Sequence, residues 1–245
     1  MTSQTLIGRA ALVTGGARRI GREIALELAA AGADITLTYR SSKAEAEQAL
    51  QRIQQFGRRA IAIECDVRSE QSVRSAIAAS INFHSHLDVL VNNAAIFESA
   101  SLDHLSLERW DAVFETNTRG PFLVAREALP HLRASRGRII NIGSLGGLRP
   151  WADHAHYCAS KAALHMLTQA MAKAFAPAIA VNAVAPGWID IGETGADSAA
   201  QRFAAKTPMQ RNGTAKDVAQ AVAFFATTSD FITGQVLAVD GGLGL

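Results

Sequence analysis

Short, unbroken apolar runs alternate along this chain with longer stretches whose apolar positions recur every three to four residues. Ala10-Ala11-Leu12-Val13-Thr14 is a compact apolar run and predicts a buried strand. Ile20, Ile24, Leu28 and Ala31 then mark one face of a helix, and Gly32 suits the position just past its end. Residues 35–38 predict a second strand, 42–56 a second helix closed by Gly57, and 60–63 a third strand. Further strands are expected over 88–91, 138–142, 178–184 and 236–239, with long helices near 107–133 and 157–175. Thr214 with Asp217 three residues on has the pattern of a capping box opening the last helix.

Continuous apolar strands separated by helices imply an α/β fold, a doubly wound parallel sheet with helices on both faces. Crossovers in such a sheet are right-handed, and ligands bind beyond the carboxyl ends of the strands. No Pro/Ser-rich linker, low-complexity tract or solenoid-length repeat divides the chain, so 1–245 is expected to be a single domain.

Composition narrows the function classes. At 245 residues, 49% hydrophobic and 19% charged, the chain is long and apolar enough for a full core and is not a disordered sequence. A formal net charge of +2 gives no broad positive field, so nucleic acid is not an expected partner. The first nine residues lack a basic stretch followed by a long apolar core, and no apolar run reaches the roughly 18–20 residues that span a bilayer. Cys65 and Cys158 are too few for a disulfide framework and fit a reducing compartment. A cytoplasmic protein without membrane partners is expected.

Chemistry gathers at the ends of the strands. The first strand runs into Thr14-Gly15-Gly16-Ala17-Arg18-Arg19-Ile20-Gly21 and then a helix. Glycines let a backbone turn tightly and approach a pyrophosphate, and the helix start offers free N–H groups. The bland alternative is an ordinary glycine-rich turn. The second strand ends in Tyr39-Arg40-Ser41-Ser42, where an acidic residue would select NAD by bonding the ribose 2′-hydroxyl. A guanidinium and hydroxyls instead suit a 2′-phosphate, with Arg18 as a second cation, so NADP(H) is the expected cofactor. Asp66, ending the third strand, is an acceptor for an adenine amino group or a plain helix-entry residue.

Tyr157 and Lys161 lie four residues apart in an expected helix and so share a face. A tyrosine near pKa ~10 is a poor acid–base group at neutral pH, and a nearby ammonium should lower that value. Ser144 follows the strand 138–142 and offers a hydroxyl to a substrate carbonyl, or is simply a turn serine. Asn117 sits within a helix, where it holds a water behind Lys161 or satisfies backbone groups.

With these pieces in order, the chain resembles the short-chain dehydrogenases/reductases from end to end. The resemblance rests on the Gly15–Gly21 loop, Asp66-Val67, Asn92-Asn93-Ala94-Ala95, Asn117, Ser144, Tyr157 with Lys161, Pro186-Gly187, and Thr233-Gly234-Gln235 through Asp240-Gly241-Gly242. It implies a Rossmann fold, Tyr157 as proton donor in reduction, Ser144 as carbonyl orienter, and Lys161 binding the nicotinamide ribose while tuning Tyr157. It implies Asn117 behind a relay water, and a cofactor site of Gly15, Arg18, Arg19, Ile20, Gly21, Arg40, Ser41, Asp66, Val67, Asn93, Ala94, Tyr157, Lys161, Pro186, Gly187 and Ile189. It also implies a homotetramer, with strand 236–239 as a candidate interface.

Two branches of that family compete. Arg19, where the loop usually has glycine, Tyr39-Arg40-Ser41 and Phe97 resemble the pteridine reductases, in which the matching aromatic stacks a pterin. Ser144, where that branch usually has aspartate, resembles the 3-oxoacyl-carrier-protein reductases. The usual threonine a few residues past Pro186-Gly187 is displaced to Thr194.

The substrate pocket is expected from Phe97, Ser144, Trp151 and Trp188, with His154 and His156 nearby, and its aromatic walls suit a flat or apolar substrate. Arg149 is read as a loop surface residue. No metal site is expected, because no carboxylate or cysteine shares the histidines' spacing. Residues 192–212 are a candidate lid. The leading function is reduction of a 3-oxoacyl thioester or small ketone by hydride transfer. The alternatives are reduction of a pterin, or a non-catalytic NADP(H)-binding sensor.

Overall fold

The computed structural model describes residues 5–191 and 198–245. Its strands are β1 (Ala10–Val13), β2 (Asp34–Tyr39), β3 (Ala60–Glu64), β4 (Val89–Asn92), β5 (Arg138–Ile142), β6 (Ala180–Pro186), β7 (Ile189–Asp190), β8 (Gly213–Thr214) and β9 (Val236–Val239). Its helices are α1 (Arg19–Ala30), α2 (Lys43–Gln54), α3 (Glu70–His84), α4 (Leu107–Phe114), α5 (Gly120–Ser135), α6 (Ala155–Phe175), α7 (Ser198–Lys206) and α8 (Ala215–Thr227). A seven-stranded sheet runs β3-β2-β1-β4-β5-β6-β9, and every pairing is parallel. The strand order reverses direction between β1 and β4. That switch point opens a crevice at their carboxyl ends, where a ligand is expected.

The strand pleat sends alternate side chains to opposite faces. Along β1, Val13 joins a core with Ile24, Leu28, Ile35, Val222 and Phe225, on the side covered by α1 and α8. Its neighbour Leu12 joins the opposite core with Val73, Ile77, Leu123, Leu132 and Met171, under α3, α5 and α6. Buried on both faces, the sheet is a stiff platform for the loops at its edge.

Local signals act as expected at several ends. Gly32 closes α1 at φ +107, and a Cβ there would lie 2.9 Å from Ile7. Thr214 and Asp217 form the complete capping box of α8. Two boundaries differ from the pattern. The strand expected over 178–184 spans Ala180–Pro186, because the Ala178 and Ile179 N–H groups still bond back to Phe175 O at the end of α6. The single helix expected over 107–133 is α4 and α5 joined by a π turn at Glu115–Arg119. One extra residue in a turn shifts the apolar face without breaking its periodicity, so the pattern reads as continuous. The turn buries Thr116 and Asn117.

Of the candidate lid, residues 192–197 lie outside the described residues. The remainder forms α7 and the segment leading into β8.

Candidate active site

The glycine loop is shaped by close backbone approaches. Gly15 has φ +62, and a Cβ there would meet Ala94 Cα at 3.1 Å. A Cβ on Gly21 would lie 2.2 Å from Gly15 O, so no side chain fits. Asn93 pins this loop to β4. Its amide donates to Thr14 O at 2.9 Å and Gly15 O at 3.0 Å, and its backbone N–H donates to Thr14 Oγ1 at 2.9 Å. Arg19 adopts φ +52, which explains why glycine is usual there: the position needs left-handed backbone.

At the far end of β2, Arg40 and Ser41 are exposed at the cavity wall. The guanidinium groups of Arg18 and Arg40 have no hydrogen-bond or ion-pair partner among the described residues. Asp66 is already engaged, since Arg68 donates to it from Nη2 at 2.6 Å and from Nε at 3.0 and 3.1 Å. That grip, with further help from Arg40, holds the Asp66 carboxyl below its usual range. The carboxylate stays ionised, an acceptor facing the cavity.

The catalytic candidates meet where β5 and α6 come together. Ser144 follows β5, and its hydroxyl oxygen accepts the Gly146 N–H at 3.0 Å. Tyr157 and Lys161 project from the first turns of α6, with Lys161 Nζ 5.8 Å from the Tyr157 ring centroid. Lys161 is 2% exposed. The expected lowering of the tyrosine by the ammonium is not what the structure gives. Burial dominates and pushes Tyr157 up to about 12, with the Ser144 hydrogen bond pulling the other way, and burial brings Lys161 down to about 7. Tyr157 is therefore a phenol with its proton in place.

Asn117 is fully buried in the π turn. Its amide accepts from Ile96 N at 2.8 Å and donates to Ile96 O at 2.9 Å and Ser160 Oγ at 3.1 Å. Its amide thus satisfies the Ile96 backbone groups and ties the segment after β4 to the residue beside Lys161.

The substrate side is aromatic. Phe97 stacks on His154 (4.8 Å, 9°) and meets the Tyr157 ring edge-on at 4.8 Å. Trp151 lies nearly parallel to Tyr157 at 6.3 Å. Across the opening Trp188 stacks on Phe203 of α7 at 4.1 Å. His156 points away from this wall. Its Nε2 lies 3.2 Å from Glu98 Oε1, and Arg109 holds the same carboxylate oxygen at 3.1 Å, so the Phe97 segment is tied to α6. Arg149 donates to Gly244 O at 2.9 Å and does not line the cavity.

One cavity of about 510 Å³ joins these parts, and every cofactor and substrate candidate from the sequence lines it. Asn117 alone among the candidates lies behind the wall. Two contributors escaped the sequence reading. Glu98 carries no local motif. His165 sits four residues beyond Lys161 on the same helix face, a spacing that points to it. A dinucleotide fits this cavity: the glycine loop has no room for side chains, two unpaired cations stand at one end, and a phenol and an ammonium at the other.

A doubly wound sheet with such a crevice at its switch point defines a dinucleotide-dependent oxidoreductase. The family model described as enoyl-(acyl carrier protein) reductase matches residues 15–244. A 3-oxoacyl-[acyl-carrier-protein] reductase FabG of Staphylococcus aureus is 38% identical over 240 residues, covering 96% of this chain and 98% of the relative. A short-chain dehydrogenase of Burkholderia cenocepacia, solved in complex with NADP, is 41% identical with a TM-score of 0.93, covering 98% of this chain and 100% of that one. A blue fluorescent protein from a metagenomic library, solved with NADPH, is 38% identical with a TM-score of 0.93 over the same shares. The chain belongs to the short-chain dehydrogenase/reductase family.

Proposed function

We propose that the protein is an NADPH-dependent carbonyl reductase with Tyr157 as proton donor. The observation that carries this reading is the pairing of Tyr157 with Ser144 at the mouth of a dinucleotide-sized cavity, where burial pushes the phenol up to about 12 and so favours its protonated form. Arg18 and Arg40 would hold the 2′-phosphate, the Gly15–Gly21 loop and the start of α1 the pyrophosphate, and Lys161 with Pro186, Gly187 and Ile189 the nicotinamide end. Bound there, NADPH supplies the hydride.

The chain's own residues do the rest. The Ser144 hydroxyl oxygen accepts from Gly146 and the hydroxyl also bonds the Tyr157 phenol, so a substrate carbonyl oxygen placed beside the two would take a hydrogen bond from each. Tyr157 transfers its proton to that oxygen as charge develops. Phe97, Trp151 and Trp188 exclude water and hold the carbonyl against this pair. The FabG relative supports a 3-oxoacyl thioester. A flat pterin also matches the stacked rings and Arg19, and Ser144 in place of a carboxylate favours the carbonyl.

The partner is a small molecule. A second copy of the chain fits the outer edge of the sheet. Strand β9 is the last in the order, and Leu237, Phe224 and Phe231 are exposed on or near it, so we expect a homotetramer built through that edge. Among the described residues no helix is long and apolar enough to cross a membrane. Cys65 and Cys158 are free and buried, which suits a reducing cytoplasm.

The test follows NADPH absorbance with a short 3-oxoacyl thioester in one cuvette and a dihydropterin in another. Thioester turnover supports the reading, and pterin turnover alone overturns it. Tyr157→Phe should bind NADPH normally and lose about 10²–10⁴ in turnover. Normal turnover in that variant removes Tyr157 as donor, and tight NADPH binding with no turnover of any carbonyl favours a sensor.

A further inference from the structure

His165 lies on α6 one turn beyond Lys161 and is 5% exposed. The loop that carries Ser144 wraps its imidazole. The Ser144 N–H lies 3.4 Å from His165 Nε2. A Cβ on Gly143 would sit 2.1 Å from Nε2, and one on Gly147 would sit 2.7 Å from Cε1. Glycines therefore flank the serine because the ring occupies the space that side chains would need.

We propose that His165 is a positioning residue for Ser144, accepting the Ser144 N–H at Nε2 and so fixing the loop that aims the serine hydroxyl at the substrate. The inference rests on the carbonyl-reductase reading of Ser144.

The imidazole is an expensive choice for this place. Its Nδ1 is buried without a well-formed hydrogen bond among the described residues. A leucine or methionine would fill such a space without stranding a polar atom. What an apolar side chain cannot do is accept the Ser144 N–H. The acceptor role requires a neutral ring with its proton on Nδ1. Burial first, then the charge of Lys161, disfavour the imidazolium and bring His165 down to about 4, against a smaller opposing pull from the Gly147 backbone. The ring therefore stays neutral across the working pH range, and the acceptor is permanent.

The bond also explains how the serine oxygen is oriented. Two backbone N–H groups are settled within the same turn, that of Ser144 on His165 and that of Gly146 on the serine oxygen. With both in place the turn is fixed and the serine oxygen is held where its hydroxyl meets the Tyr157 phenol. Loss of the His165 acceptor would let the turn relax and misdirect the hydroxyl without removing it.

The first test needs no turnover. In the intact wild-type protein labelled with ¹⁵N-histidine, His165 should show the Nδ1–H tautomer at pH 7, with Nε2 shifted as a hydrogen-bond acceptor. An Nε2–H tautomer overturns the proposal. The second test is a double-mutant cycle with NADPH and acetoacetyl-CoA. His165→Leu should lower kcat about three- to tenfold in the protein with Ser144. It should cost less than about twofold in the Ser144→Ala background, because nothing remains to be aimed. NADPH affinity should stay within about twofold throughout. His165→Gln, which keeps an acceptor at the same reach, should recover most of the loss. Equal losses in both backgrounds would make His165 a packing residue and overturn the proposal. Full activity of Ser144→Ala alone would overturn the reading of Ser144 itself, and the role of His165 with it.

Discussion

Lys161 donates a 2.7 Å hydrogen bond to the carbonyl of Ile142, the last residue of β5. Its nearest strong partner is thus the strand that ends at Ser144, rather than the phenol on its own helix. The bond locks α6 to β5 and holds Tyr157 and Ser144 in register. It also leaves a lysine side chain buried without a carboxylate, and the physical cost of that arrangement is open to measurement.

Burial brings Lys161 from 10.5 down to about 7. Below about pH 7 both folded and unfolded chains carry the proton, and the cost of burying the ammonium is felt in full. Above pH 7 the folded state releases its proton while the unfolded chain keeps it until about 10.5, so stability rises with pH across that window. Cys65 and Cys158, both raised above 9.0 by burial, oppose the rise at higher pH. The clean window is therefore pH 7 to 9. Chemical denaturation of the cofactor-free protein should show stability climbing by on the order of 1–3 kcal/mol across it. Lys161→Met should abolish the climb. A flat wild-type profile would mean that the buried lysine keeps its proton.

The parts of this site that were legible in the sequence are those governed by short-range rules. Glycine spacing showed where a backbone must approach closely, as Gly15 and Gly21 do. The spacing of four between Tyr157 and Lys161 put both on one helix face. The apolar runs placed the strands that deliver Asp66, Asn93 and Ser144 to one edge. What was not legible depends on the balance of distant groups. The π turn at Asn117 is invisible to periodicity, because one added residue leaves the apolar spacing intact. The sign of the Tyr157 shift depends on burial from several elements, which outweighs a lysine that points at Ile142. The Glu98–His156 pair joins residues far apart in sequence, with no motif at either end.

Arg19 is a case in which a local rule is broken and the structure shows where. At φ +52 a residue with a Cβ pays roughly 1 kcal/mol that glycine does not. Arg19→Gly should therefore leave the fold intact and raise stability by up to about 1 kcal/mol in denaturant melts. A loss of stability on substitution would show that contacts of the arginine outweigh the backbone strain.

On the proposed placement of the cofactor, Arg40 decides between NADPH and NADH. The residue is exposed at the end of β2, lines the cavity, and has no ion-pair partner among the described residues. A guanidinium left unpaired beside the ribose end can give its full charge-assisted hydrogen bonds to a 2′-phosphate, about 1.5–3 kcal/mol or roughly ten- to a hundredfold in affinity. Arg40→Asp should remove that gain from NADPH and add repulsion. NADH has no 2′-phosphate to lose, and the new carboxylate can accept its ribose 2′-hydroxyl. Fluorescence titrations should therefore show NADPH weakening by tenfold or more, with NADH unchanged or tighter. Equal losses for the two cofactors would place the 2′-phosphate elsewhere, with Arg18 the next residue to test.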